Sequence, residues 1–399
     1  MTETTLAREH AAERADAVRL LLRSPLLDRD RRPGDFLLVA RHRDWLAEWF
    51  ETGCGWDLAV DVAHGFARLE KRSAAPDPTR PARRSRGDKA PFDRRRYELL
   101  CLVCADLASH PVTTIGLVAA NVAAASAGSP AGRFDTAKRR ERAAFVDAFK
   151  LLAEWGVVRF EGGDVDAFVT SESGNALVAT DSPRLHRLVA SATAPSRLDA
   201  ATTADAVRGL SAEPRYARVE DDTARLRGVR HRLARRVLDD PAVYRADLPG
   251  DEAAYLDNPA GRKWLRERVE GSGMTLEERA EGFVAVDPDA VATDTVFPAP
   301  SDNVKQMALV LVDTLVGRQS VSMAEVTASV ERLLAAHPSW AKDFRDDGGR
   351  ARLARAAVRL LADLRLVDRT DEVVHPRPAL ARYSLPPAFD LFAPQAEEP

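Results

Sequence analysis

The chain has 399 residues, 45% of them hydrophobic, 30% charged and 6% aromatic, a balance that excludes disorder and favours an Ala-, Leu-, Val- and Arg-rich helical protein over a β-sandwich. Two or three domains fit in that length, each burying its own core. The net charge of -3 excludes a global positive field that would draw the chain onto nucleic acid, so DNA contact must come from local clusters such as residues 80–86, 94–96, 138–140 and the arginines between 225 and 236.

Residues 6–23 carry Val18, Leu21 and Leu22 on a helical period, and Ser24-Pro25 stops the helix. Apolar Phe36, Leu37, Trp45, Leu46, Trp49 and Phe50 follow. Leu58, Val60 and Val62 then alternate with polar or small residues up to His64-Gly65, and Phe66 keeps the alternation, which predicts a β-hairpin. Residues 1–72 are read as an N-terminal helical and hairpin domain. Residues 73–91, with Pro76, Pro78, Pro81 and Pro91 among Arg80, Arg83, Arg84, Arg86 and Lys89, read as an exposed basic linker.

From 92 to 180 the pattern sharpens. Tyr97, Leu99, Leu100, Leu102, Val103 and Leu107 define an apolar helix, Thr113 or Thr114 caps a second over 115–125, and a Gly/Ser/Pro break at 126–132 precedes a third from about 135 to 155. In the third, Phe145, Phe149 and Leu152 fall at i, i+4 and i+7 while Lys138, Arg139 and Arg142 project elsewhere. Val157, Val158 and Phe160, the pair Gly162-Gly163, then Phe168 and Val169 predict strand, turn and strand. Three helices followed by a two-stranded wing is the order of a winged helix.

Residues 181–286 read as a helical connecting region with a few strands, built on an Arg-rich helix with Leu226, Val229, Leu233 and Val237; residues 287–301 read as a second linker. The winged-helix order then returns over 302–390, where Leu360-Leu361-Ala362-Asp363-Leu364-Arg365-Leu366-Val367 matches Leu151-Leu152-Ala153-Glu154-Trp155-Gly156-Val157-Val158. Val367 to Arg369, Val373-Val374 and Tyr383-Ser384-Leu385 are its predicted strands. The fold class is therefore mainly α with small β-hairpins (α+β), as tandem winged-helix domains.

Sites of chemistry are few. Cys101 and Cys104 form a C-x-x-C inside an apolar helix with no second pair to complete a zinc site, so both read as buried core thiols. With Cys54 they make three cysteines, no disulfide framework; no leader peptide or membrane span is read either, which points to the cytoplasm. No histidine falls in an H-E-x-x-H, and neither Gly128 to Gly132 nor Gly348-Gly349 has the order of a phosphate-binding loop. Asp164, Asp166 and Glu172 read as wing-loop carboxylates. No catalytic, cofactor or metal residue is predicted. What remains is binding: Arg352, Arg355 and Arg359 at i, i+3 and i+7 of the last third helix, with Lys138, Arg139 and Arg142 as counterparts in the first copy, suit phosphate contact rather than base readout.

The helix over 13–22, Gly34-Asp35-Phe36, the string Tyr97-Glu98-Leu99-Leu100-Cys101-Leu102-Val103-Cys104-Ala105-Asp106-Leu107 and the string Ala148-Phe149-Lys150-Leu151-Leu152-Ala153-Glu154-Trp155-Gly156-Val157-Val158 together resemble the B subunits of type II Wadjet (Jet) plasmid-defence systems. The resemblance implies a non-catalytic, kleisin-interacting tandem winged-helix (KITE, MukE-like) subunit of a condensin-like SMC complex. Such a subunit would bridge a kleisin and an SMC ATPase, touch plasmid DNA weakly and form a homodimer. ATP hydrolysis would lie with the SMC ATPase, and cleavage with a separate toprim-type nuclease subunit. The long N-terminal and middle regions exceed a minimal tandem plan. The alternative from the residues alone is a stand-alone winged-helix transcription regulator.

Overall fold

The computed structural model describes residues 2–73, 79–85, 87, 89–129, 132–191, 193–216, 222–299 and 301–384. Parts of the basic linker (74–78, 86 and 88), of the Gly/Ser/Pro break (130–131) and the end of the last predicted domain (385–390) lie outside them.

The elements run in a repeated order. The first repeat holds α1 (Thr2–Arg23), β1 (Leu26–Asp28), α2 (Pro33–Arg41), α3 (Arg43–Cys54), β2 (Asp57–Asp61) and β3 (Phe66–Glu70). The second holds α4 (Arg94–Ser109), β4 (Val112–Thr114), α5 (Ile115–Ala125), α6 (Arg139–Glu154), β5 (Val158–Gly163), the short α7 (Ala167–Thr170) and β6 (Ala176–Thr180). After α8 (Ser182–His186) and α9 (Thr203–Ser211), the third holds α10 (Asp222–Asp239), β7 (Val243–Tyr244), α11 (Gly250–Asp257), α12 (Pro259–Glu270), β8 (Thr275–Arg279) and β9 (Gly282–Val286). The fourth holds α13 (Asn303–Leu315), β10 (Val321–Ser322), α14 (Met323–Ala336), α15 (Gly349–Asp363), β11 (Val367–Thr370) and β12 (Val373–Pro376).

Among the described residues this makes four three-stranded antiparallel sheets, each ordered first, third, second strand. The chain is thus mainly helical with small sheets, as its composition predicts. The plan legible twice in the sequence occurs four times: it also organises the N-terminal segment and residues 222–286. Two compact units divide the chain between residues 231 and 232, inside α10.

Local chemistry explains the element ends. Asp93, Thr114 and Asp302 cap α4, α5 and α13 through side-chain oxygens, and Ser322 with Glu325 closes a capping box on α14. Each third helix ends on a residue of positive φ, Gly55 (62°), Gly156 (70°), Gly273 (79°) and Arg365 (56°). The next residue in each case, Trp56, Val157, Met274 or Leu366, is buried, so the left-handed turn aims the chain into the hairpin while anchoring it in the core.

In the first unit the second repeat closes around Phe134, Phe145, Phe149 and Phe168, whose rings pack in stacked, edge-on and tilted pairs with centroids 5.0 to 5.7 Å apart. Fully burying each such ring is worth roughly 1.5–3 kcal/mol. Arginines fasten the first repeat to the second by backbone carbonyls: Arg31 donates to Ala153 and Glu154, both at 2.5 Å, and Arg68 to Arg187 at 3.1 Å and Leu188 at 3.0 Å. In the second unit, the Tyr244 hydroxyl donates to the Arg365 carbonyl at 2.7 Å, and the Arg377 guanidinium lies 3.9 Å over the Tyr244 ring while bonding Asp247 at 2.6 Å.

Residues 36–50 form two helices that break at His42, whose side chain bonds Glu13 at 2.7 Å. Two expectations of strands are corrected. Phe168 and Val169 belong to the helical turn α7 rather than to a strand, because Phe168 fills the core beside Phe145 and Arg142 takes the carbonyls of both residues; the return strand is β6. Tyr383 ends a 3-10 turn, Pro378–Tyr383, where its ring packs 5.0 Å from Phe297, and Leu385 is outside the described residues.

Candidate nucleic-acid interface

The six arginines and lysines singled out by the sequence divide by what they touch. Arg142 is 7% exposed and leaves no donor for a phosphate: its guanidinium donates to the carbonyls of Phe168 (2.9 Å), Thr136 (2.6 Å), Ala137 (3.1 Å) and Val169 (3.2 Å). Helical spacing placed it off the apolar stripe, but a long side chain folds back over the turn beside it. Arg142 holds the hairpin loop to α6 and is not an interface residue.

Lys138 and Arg352 are exposed, yet each sits on a carboxylate. Lys138 Nζ lies 3.0 Å from Asp135, and Arg352 Nη2 lies 2.8 Å from Asp346. The hydrogen bonds from these two cations hold both carboxyls below their usual range. A phosphate would have to displace the carboxylate to reach either cation.

Arg139, Arg355 and Arg359 are exposed and have no ion-pair partner among the described residues. Arg352, Arg355 and Arg359 share the face of α15 opposite the buried Leu353, Ala354, Ala357, Val358 and Leu361. They span about 10 Å at 1.5 Å per residue. Of the four arginines of α15, Arg350 pairs with Glu331 at 3.2 Å and Arg352 with Asp346 at 2.8 Å, which leaves Arg355 and Arg359 as its outward cations. Sequence reasoning missed Arg140, exposed beside Arg139, although the run 138–140 contained the signal.

The hairpins have the opposite charge. Each carries one arginine against three or four carboxylates: Arg68 against Asp57, Asp61 and Glu70; Arg159 against Glu161, Asp164, Asp166 and Glu172; Arg279 against Glu277, Glu278 and Glu281; Arg369 against Asp368, Asp371 and Glu372. Carboxylates brought against phosphates raise the energy of the contact. The cationic surface is therefore helical: α10 carries six arginines against two aspartates and α15 four against one.

Cys101 is exposed and Cys104 half-buried rather than both in the core, because Leu99, Leu100, Val103 and Leu107 fill the inner face of α4. Burial, with the neighbouring Cys101 adding to it, pushes the Cys104 thiol up to about 12, which leaves it a poor nucleophile. Among the described residues no group of three or more His, Cys, Asp or Glu side chains is placed to hold a metal ion, and no helix is long and apolar enough to cross a membrane.

Fold and site define an α-rich chain of four like repeats, with small antiparallel sheets, acidic hairpins and arginine-rich helices. It belongs to the family described as Protein of unknown function (DUF2398), whose model matches residues 18–386. No curated protein and no solved structure matches the chain.

Proposed function

We propose that this chain is a non-catalytic KITE-type subunit of a condensin-like SMC complex that defends bacteria against plasmids, bridging a kleisin and an SMC ATPase and contacting DNA. The observation that carries the reading is the fourfold recurrence of one plan, helix, strand, helix, helix and hairpin, with the first strand on the hairpin's edge. That is the connectivity of a winged helix, in which the third helix faces a groove and the hairpin is the wing. A chain of such units offers several faces for protein partners.

Charge argues for the assembly over a stand-alone regulator. A regulator needs tight readout from its own recognition helix, commonly with a wing on the phosphates. Here the hairpins are acidic, and on α15 only Arg355 and Arg359 are exposed without an ion pair among the described residues, which suits weak, sequence-independent contact assisted by partners. The reading places the chain in the cytoplasm as a homodimer, with ATP hydrolysis and plasmid cleavage carried by the SMC ATPase and the toprim-type subunit.

Binding of the isolated chain to two unrelated duplexes across a salt series tests this. Weak binding to both, falling steeply with salt, supports the subunit. Nanomolar binding to one duplex alone supports the regulator.

A further inference from the structure

The second helix of each repeat has a third residue, and in three repeats it is acidic: Asp35 in α2, Glu252 in α11 and Glu325 in α14. Each is engaged. Asp35 pairs with Arg32, Glu252 lies buried between Arg232 and Arg236 at 2.7 and 2.9 Å, and Glu325 accepts from the Ser322 amide at 2.9 Å. In the second repeat the position is Leu117, 51% exposed, on a helix whose cap, Thr114, would accommodate a glutamate.

Leu117 is not isolated. Its amide lies 3.4 Å from Thr114 Oγ1, and Thr114 pairs in register with Leu177, 42% exposed; two residues back on β4 stands Val112, 69% exposed. Ala120 and Ala124, both exposed, continue from Leu117 at i+3 and i+7. No residue from 111 to 132 is charged, in a chain where nearly every other helix face carries arginine or carboxylate.

Building on the reading of this chain as an assembly subunit, we infer that Val112, Leu117, Ala120, Ala124 and Leu177 form the docking face for an amphipathic helix of a partner chain. The partner helix meets it with an uncharged, apolar stripe. Charge selects that chemistry, since a charged segment or a nucleic acid would lose solvation here, and the one cation on the adjoining sheet row, Arg159, is already paired with Glu161 at 3.4 Å. Shape selects a helix. The β4 edge is three residues long, too short to template an added strand, whereas the α5 stripe extends about 10 Å with small residues that let a second helix approach closely.

The test uses Leu117→Glu in the full chain, co-expressed with the SMC-type ATPase and the kleisin that the subunit reading assigns to it. The substitution restores the capping-box pattern of α14, so the variant is expected to melt no lower than the wild type, yet to recover at least about tenfold less partner, a loss of about 1.4 kcal/mol or more. Leu177→Lys, on the adjoining strand, is expected to give the same loss. Equal recovery with wild type and both variants overturns the inference and leaves the subunit reading standing. Failure of the wild type to recover either chain overturns both. A wild-type dimer that Leu117→Glu turns into a monomer, with partner recovery unchanged, also overturns it, by giving the face to a second copy.

Discussion

Gly156 and Arg365 occupy the same backbone position in two repeats: each ends a third helix at positive φ, 70° and 56°, and each is followed by an amide that reaches the carbonyl five residues back at 2.8 Å, Val157 to Leu152 and Leu366 to Leu361. Their surroundings differ. A Cβ on Gly156 would collide with the side chains of Arg184 and Asp28, while Arg365 has room and bonds Asp240 at 2.8 Å. The left-handed conformation costs a side-chain-bearing residue roughly 1–2 kcal/mol. Gly156→Ala is therefore expected to lose about 2 kcal/mol or more. Arg365→Gly is expected to stay within about 1 kcal/mol of wild type, as relief of strain offsets the lost ion pair. Urea midpoints measure both, and equal losses would contradict the account.

Arg142 and Arg139 are three residues apart on α6 and should behave oppositely. Removing the Arg142 guanidinium leaves the carbonyls of Thr136, Ala137, Phe168 and Val169 short of a donor, so Arg142→Ala should cost about 2–3 kcal/mol. Arg139→Ala, at an exposed and unpaired position, should stay within about 0.5 kcal/mol. Thermal melts of the two variants decide the point.

Acid should loosen the first unit at a particular pair. Burial works to raise the Asp28 carboxyl, but the hydrogen bond and charge of Arg184 outweigh it and bring the group below 3.8. A carboxyl lowered in the folded state contributes stability above its ordinary pKa and loses that contribution as pH falls through the folded value. Wild-type stability should thus drop as pH falls below about 4. Asp28→Asn should be weaker at neutral pH and show a flatter acid slope. An unchanged acid slope in the variant would remove Asp28 from the explanation.

Phosphate contact by α15 has a thermodynamic signature. Each arginine that neutralises one phosphate contributes about 0.9 to the slope of log affinity against log salt. Arg355→Ala and Arg359→Ala should each lower that slope by about 0.9 and weaken unrelated duplexes alike. Arg142→Ala should leave the slope unchanged, since its guanidinium never faces solvent.

The strong helical spacings were legible in the sequence, and so was the match between residues 151–158 and 360–367, because glycine or strain at one backbone position and a buried residue after it recur together. The first and third repeats were harder to see. No glycine or proline marks the break between α2 and α3 at His42, β7 is two residues long, and β8 reads Thr-Leu-Glu-Glu-Arg, too polar to stand out as a strand. Charge placement was legible only in part: spacing put Arg355 and Arg359 outward correctly, but it could not show that Arg142 turns back onto α7. The odd leucine at position 117 had meaning only once the helix starts of all four repeats could be laid side by side.

The most direct test of the subunit reading is plasmid retention in a host supplied with an SMC-type ATPase, a kleisin and a toprim-type nuclease of the assembly proposed for this chain, with and without the chain itself. The account predicts rapid plasmid loss with the complete set, retention when this chain is deleted, and loss restored by the wild-type protein. Plasmid loss that proceeds equally well without the chain would contradict it.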